Sequence, residues 1–570
     1  AVSRLYDWHF IAETPEEAIR LGLEAGVDLQ LYDFPHDVWQ KAIAHLIESG
    51  SMKMSVLDTA CRRVLRMKFA LGLFENPYTD EKRADKILRC PEHLTTAEKI
   101  AEKSIVLLKN DGLLPIRKDL RSVAVIGPAA DTVSYGDYTE TRGRKGGVSV
   151  LDGIRAAVSP ETEVLYERGC NFLGQALHPF DPSMLRDENG ESGLTGHYYN
   201  GPVPQGEPVQ VRTDRTVNFN WIFALPHPAL DANCFSVVWT GSVVMPRTMD
   251  GCIGLSTQDS MRLYVDDKLL IDGWGKDKSA DQALDFHFEA GRTYKIRIEF
   301  VNDRENFPAA VEAARKADVA ILCMGDNEET SGENFDRTDL NLPGRQLELV
   351  QAVYATGTPV VLVLQSGRPV TANWENDHLP AILEAWFPGE QGGTAIAKTL
   401  FGDAAPGGRL PITFPRSVGQ IPCHYSRRPG GGKRYVEMDW LPLYPFGYGL
   451  TYTTFAYRDM ALSRSVIDPQ DTVTVSVTVT NTGKYTGDAV PQLYVRDMFS
   501  SVVKPERQLA AFRRLTLAPG ESRRVELTVG PKQLRTLGPD YVWRVEPGKF
   551  ELQLGDNAEN ILLRADLTVE

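Results

Sequence analysis

The sequence predicts a multidomain protein with an α/β core, two β-rich modules and a helical leading segment. Three observations carry this. At 570 residues the chain exceeds what one hydrophobic core sustains. Apolar strand runs alternate with helical spacing over residues 104–185 and again over 306–425, the pattern of a layered α/β domain. Period-two runs punctuated by turn residues fill 186–305 and 456–570 instead.

Residues 1–80 read as helical. Thr14 is placed to cap a helix, with Pro15 at its first position and Glu17 completing a capping box. Gly26 ends that helix, and Val27-Asp28-Leu29 reads as a short strand. Helices follow over Val38–Ser49 and Met54–Leu71, the second with an apolar stripe of Val56, Leu57, Ala60, Val64, Leu65 and Phe69. One strand and three helices are too few to close a barrel, so these read as the last units of something larger. Residues 81–103 read as a linker.

Ser122–Ile126 and Glu163–Tyr166 are strands around a helix near Val148–Val158. The alternation halts near Gly174, gives way to strands such as Phe235–Thr240, Met261–Val265 and Thr293–Phe300, and restarts near Pro308. A helix over Ala309–Ala317 leads to the apolar run Val319–Gly325, whose length and β-branching suit a buried strand closed by glycine. Further strands are expected at Val360–Leu364 and Ile382–Trp386, with a linker over 426–455. The terminal strands, Thr472–Thr480, Ala489–Val495, Ser522–Val529 and Lys549–Leu554, predict an immunoglobulin-like sandwich.

Composition narrows function by exclusion. A net charge of -14 argues against nucleic acid or an anionic membrane as partner, and no apolar run reaches the length of a membrane span. The seven cysteines are odd in number and widely spaced, so neither a disulfide framework nor a zinc cluster is indicated; most are expected to be buried.

Chemistry concentrates in one loop. Ser331-Gly332-Glu333-Asn334-Phe335-Asp336-Arg337 leaves the buried strand and runs to Leu342-Pro343-Gly344, placing carboxylates at the strand end where α/β folds take ligands. The loop resembles the acid/base loop of glycoside hydrolase family three. Further matches follow in order: Gly26-Val27-Asp28-Leu29, the exit Leu71–Tyr78, Ile105-Val106-Leu107-Leu108-Lys109-Asn110, and Tyr444–Leu450. The resemblance covers essentially the whole chain. It implies the end of a (β/α)8 barrel, then a six-stranded α/β/α sandwich interrupted by a protective-antigen-like β-sandwich, then a fibronectin type III-like domain.

The resemblance makes Glu333 the general acid/base of a retaining exo-acting β-glycosidase, foremost a β-glucosidase, with no cofactor. Ala1–Tyr6 aligns with residues just beyond the family's serine-aspartate motif, which implies a nucleophilic aspartate upstream of Ala1. Asp7 is a poor substitute, since Tyr6 rather than serine precedes it and it lies too close to Gly26. The 570 residues alone are therefore expected to be inactive, to expose a torn barrel edge and to aggregate. Glu333 needs a raised pKa, which an apolar wall at Phe335 or the carboxylates Glu328, Glu329, Asp336 and Asp339 could supply. Glu329 is the local rival for the acid role. Arg337 is expected to anchor the loop through Asp336 or Asp339, and Trp239, Trp274 and Trp386 to pack rather than stack on sugar.

Modules of the protective-antigen kind sometimes bind sugar with calcium held by an aspartate pair. Gln258-Asp259 does not supply that pair, so no metal is expected. A last strand after Ile296–Phe300 also looks absent, so either the sandwich has an exposed edge or the sequence has lost a piece there. The partners implied are a β-linked oligosaccharide or an aryl or alkyl β-glycoside, with homo-oligomers open and a secreted or periplasmic home as the family's habit. The readings left standing beside β-glucosidase are β-xylosidase or another exo-glycosidase and, from a different class, a non-catalytic carbohydrate-binding protein.

Overall fold

The structure, a computed structural model, describes residues 2–31, 33–139, 147–170, 172, 180–217, 219, 226–231, 234–255, 260–274, 282–303, 308–327, 330–430 and 434–570. The chain divides into two compact units, Ala1–His93 and Leu94–Glu570.

The first unit is helical: Arg4–Asp7, Pro15–Glu24, His36–Glu48, Met54–Ala70 and Glu81–Ile87. Thr14 caps as its sequence demands, its Oγ1 accepting the Glu17 N–H at 3.1 Å, while the Glu17 carboxylate reaches back to the Glu13 N–H. The strand expected at Val27-Asp28-Leu29 does not form. Gly26 takes φ 97° and the Val27 N–H bonds to Gly22 O, so the helix end consumes the amide a strand would need. Of the stripe on Met54–Ala70 only Ala60 is buried; Phe69 is 62% exposed. Residues 81–103 are not an extended linker, for they carry Glu81–Ile87 and most of a second helix, Pro91–Ser104.

The second unit is built on a six-stranded sheet. Its strands are β1 (Val106–Asn110), β2 (Ser122–Ile126), β3 (Glu163–Glu167), β4 (Val319–Gly325), β5 (Val360–Gln365) and β6 (Ala381–Glu384). In space they run β1-β6-β5-β4-β2-β3, parallel except for β1 against β6. Their unbroken apolar sequences follow from burial on both faces. Ala320, Leu322 and Met324 meet the helices Pro308–Lys316 and Gln346–Tyr354; Ile321 and Cys323 meet Val150–Ala157 and Gly392–Leu400. The chain enters β3 on one side of β2 and β4 on the other, so a topological switch point lies between β2 and β4.

Within residues 185–303 seven strands form one sheet and Met249–Leu255 pairs with Gln282–Phe288 in a second, with an apolar core around Tyr198, Phe235, Trp239 and Tyr294. Thr293–Asp303 lies inside the seven-stranded sheet, paired with Cys234–Val244 on one side and Ser260–Val265 on the other. The Gln258-Asp259 pair lies outside the described residues. Residues 455–569 form a three-stranded and a five-stranded sheet over a common core that includes Val475, Val477, Leu493, Phe550 and Leu552. Of the seven cysteines only Cys323 is buried, and Cys61 and Cys252 are exposed, so the expectation that most are buried fails. No helix among the described residues is long and apolar enough to cross a membrane.

One buried acid makes the stability of this unit pH-dependent. Glu375, in the helix Asn373–His378, is 3% exposed, and burial pushes its carboxyl up to about 7. Its folded pKa lies above its unfolded one, so the stability it permits is fully present below the unfolded carboxyl range. That stability is lost as pH rises through about 7. Urea melts at pH 5 and pH 8 should therefore differ less in Glu375→Gln than in the wild-type chain. An unchanged difference would mean that Glu375 is ionised in the fold.

Candidate active site

Four loops leave the carboxyl end of the parallel strands: 127–139 after β2, 326–345 after β4, 366–372 after β5 and 385–391 after β6. The first two flank the switch point, where doubly wound sheets open a crevice. Glycine sets the strand end. Gly325 takes φ 137°, and a Cβ there would stand 1.9 Å from Gln365 O, so no side chain fits. The Gln346 side chain completes Gly325 as a strand neighbour would: Oε1 accepts its N–H at 2.7 Å and Nε2 donates to its carbonyl at 2.8 Å.

Beneath the loop lies an ionic cluster. Asp326 is 1% exposed, and its Oδ1 accepts Arg337 Nη1 at 3.0 Å and the Thr330 hydroxyl at 2.9 Å. Arg337 also reaches Asn341 O at 2.7 Å and Asp339 at 3.4 Å. The expected anchor is present, with Asp339 as the lesser partner and buried Asp326 as the greater one. Arg368 places its Nε 3.7 Å from Asp326 Oδ2. Glu384, fully buried at the end of β6, accepts the Trp386 N–H at 2.8 Å and faces the Ser366 hydroxyl at 3.3 Å. Burial pushes the Glu384 carboxyl well above the carboxylate range, and Asp326 adds to this.

Above the cluster, Glu333 stands exposed on a turn in which Asn334 takes φ 66°. Its backbone N–H donates to Asp137 Oδ2 at 2.9 Å, joining the β2 and β4 loops across the switch point. Gly332 permits that approach, because a Cβ there would meet the Asp137 carboxyl at 2.8 Å. Phe335 is 42% exposed. Glu328 and Glu329 lie outside the described residues. Asp7 ends the short helix of the first unit, exposed and 3.6 Å from Arg4. Among the described residues no group of three or more His, Cys, Asp or Glu could hold a metal ion.

Of the three tryptophans expected to pack, Trp239 is buried and Trp274 and Trp386 are half-buried. Trp239 is 2% exposed and donates its ring N–H to Asp214. Trp274 has the Arg262 guanidinium 4.8 Å over its ring. Trp386, at φ 59°, packs edge-on against Phe414. Sequence reading missed Asp137, Asp326, Arg368 and Glu384. Their shared signal is local: the last three stand at or within three residues of the end of a buried apolar strand.

Comparison with known proteins places this arrangement. Residues 105–452 match the glycosyl hydrolase family 3 C-terminal domain, and residues 489–558 match a fibronectin type III-like domain. The chain is 33% identical over its whole length to a β-xylosidase of Formosa agariphila. It is 32% identical over 97% of its length to a periplasmic β-glucosidase of Salmonella typhimurium. It spans 64% and 60% of the lengths of these two relatives. A β-glucosidase structure from Erythrobacter marinus superimposes with a TM-score of 0.74 at 30% identity, covering all of this chain and 62% of that one.

Proposed function

The chain belongs to glycoside hydrolase family three, and from that premise we propose that its gene product is a retaining exo-acting β-glucosidase with Glu333 as general acid/base. One observation carries the assignment of Glu333. It is the exposed carboxylate on the turn at the switch point, and its backbone is fixed from the neighbouring loop by Asp137. Cleavage of a glycosidic bond requires a proton for the leaving oxygen and a second carboxylate to stabilise or capture the oxocarbenium-like centre. Glu333 gives that proton in the first step and takes one from water in the second. On the family's pattern the nucleophilic aspartate precedes Ala1. Asp7, already ion-paired with Arg4 in a short helix, is not the proposed nucleophile. Residues 186–305 are proposed as an inserted protective-antigen-like module that shapes the pocket rim.

The names of the relatives favour glucose as the sugar, and the Formosa β-xylosidase keeps xylose as the second reading. Hydrolysis of aryl β-glucoside and aryl β-xyloside by the whole gene product, beside the 570-residue chain, tests both. Glucoside should be cleaved faster by the gene product, with no turnover by the 570 residues. Faster xyloside cleavage would exchange the two readings, and turnover by the 570-residue chain would return the nucleophile to Asp7. A gene product inert to both would remove the assignment.

A further inference from the structure

One guanidinium closes the Glu333 turn from beneath. Arg368 Nη2 donates to Thr330 O at 2.9 Å and to Phe335 O at 3.3 Å. These two carbonyls bracket Ser331–Asn334, so a single planar group from the β5 loop joins both ends of the turn. Arg368 is in turn held on two sides. Asp326 faces its Nε, and its own carbonyl accepts the Ser366 hydroxyl at 2.7 Å. That hydroxyl also faces Glu384 Oε2 at 3.3 Å, so Ser366 sits between the Arg368 carbonyl and the buried end of β6.

We propose that Arg368 is a positioning residue for the general acid/base, clasping Thr330 and Phe335 so that the Glu333 carboxylate keeps one direction of approach. This rests on the assignment of Glu333 above. The turn needs such a clasp because Asn334 sits in the left-handed region, which persists only where the surroundings over-determine it. The chemistry needs it because a displacement of about 1 Å at a catalytic group costs on the order of 100-fold in rate. The rigid, planar guanidinium fixes the direction of the two N–H bonds on Nη2, which a rotating ammonium does not.

Two measurements test the clasp. Hydrogen exchange on the whole gene product should show residues 330–337 exchanging about tenfold faster in Arg368→Met, with β4 and β5 unchanged and Arg368→Lys intermediate. In the whole gene product, kcat/KM for an alkyl β-glucoside should fall about 100-fold in Arg368→Met. A dinitrophenyl β-glucoside, whose leaving group needs no proton, should lose far less. Unchanged exchange at the turn, or equal losses across leaving groups, would overturn the clasp. The acid/base assignment fails separately, through a Glu333→Gln variant that hydrolyses normally while the exchange result stands. If Arg368→Met does not fold, Arg368→Lys carries both measurements.

Discussion

Glu333→Gln is expected to lower kcat/KM of the gene product toward alkyl β-glucosides by about 10²–10⁴-fold, the range a positioned general acid supplies. Glutamine keeps the shape and the exposed setting of the side chain but has no proton to give. Because the carboxylate is exposed and makes no ion pair among the described residues, thermal stability should stay close to that of the wild type. Substrates with good leaving groups should still form the covalent intermediate, and then stall, since no base activates water. Azide needs no base, so it should restore turnover and yield a β-glycosyl azide, retention being the mark of two successive displacements. A loss below tenfold, or a dead variant that azide does not revive, would move the acid/base role to another carboxylate. Glu329, four positions before Glu333 in the sequence, would be examined first.

The turn bearing Glu333 was legible because its signals are local. A buried apolar run ends in glycine, the carboxylates come next, and Leu342-Pro343-Gly344 leads into the helix Gln346–Tyr354. The six strands were readable for the same reason, each a short apolar run between turns. What was not legible depends on strand order. Asp137 and Glu333 are 196 positions apart, and they meet only because β2 and β4 are neighbours, which no local pattern encodes. Arg368 and Glu384 likewise join Asp326 through the adjacency of β4, β5 and β6. The strand lost at Val27-Asp28-Leu29 shows the opposite failure. Its β-branched residue suggested extension, yet the amide of Val27 was already committed to closing the preceding helix. Local propensity yielded to a hydrogen bond.

Asp326→Ala is expected to destabilise the second unit by about 3–5 kcal/mol, the cost of removing one partner from a buried ionic cluster. The side chains of Arg337 and Arg368 are only 15% and 20% exposed, so neither guanidinium can recover full hydration when the carboxylate goes. The Thr330 hydroxyl loses its acceptor as well. The charge imbalance dominates over the small cavity left by three deleted heavy atoms. Asp326→Asn should therefore cost nearly as much, even though it keeps the volume. Urea unfolding followed by a probe in the sheet checks the magnitude. The coupling is more telling: because Asp326 is the nearest carboxylate to the Arg337 guanidinium, the double variant Asp326→Ala, Arg337→Met should be more stable than the sum of the single losses implies. Additive losses, or a single loss under about 1 kcal/mol of the kind surface pairs give, would mean that water reaches the cluster. Coupling would instead identify Asp326 as the charge on which both arginines converge, one along the β4 loop and one across from β5, so that the turn between them stands in a single place.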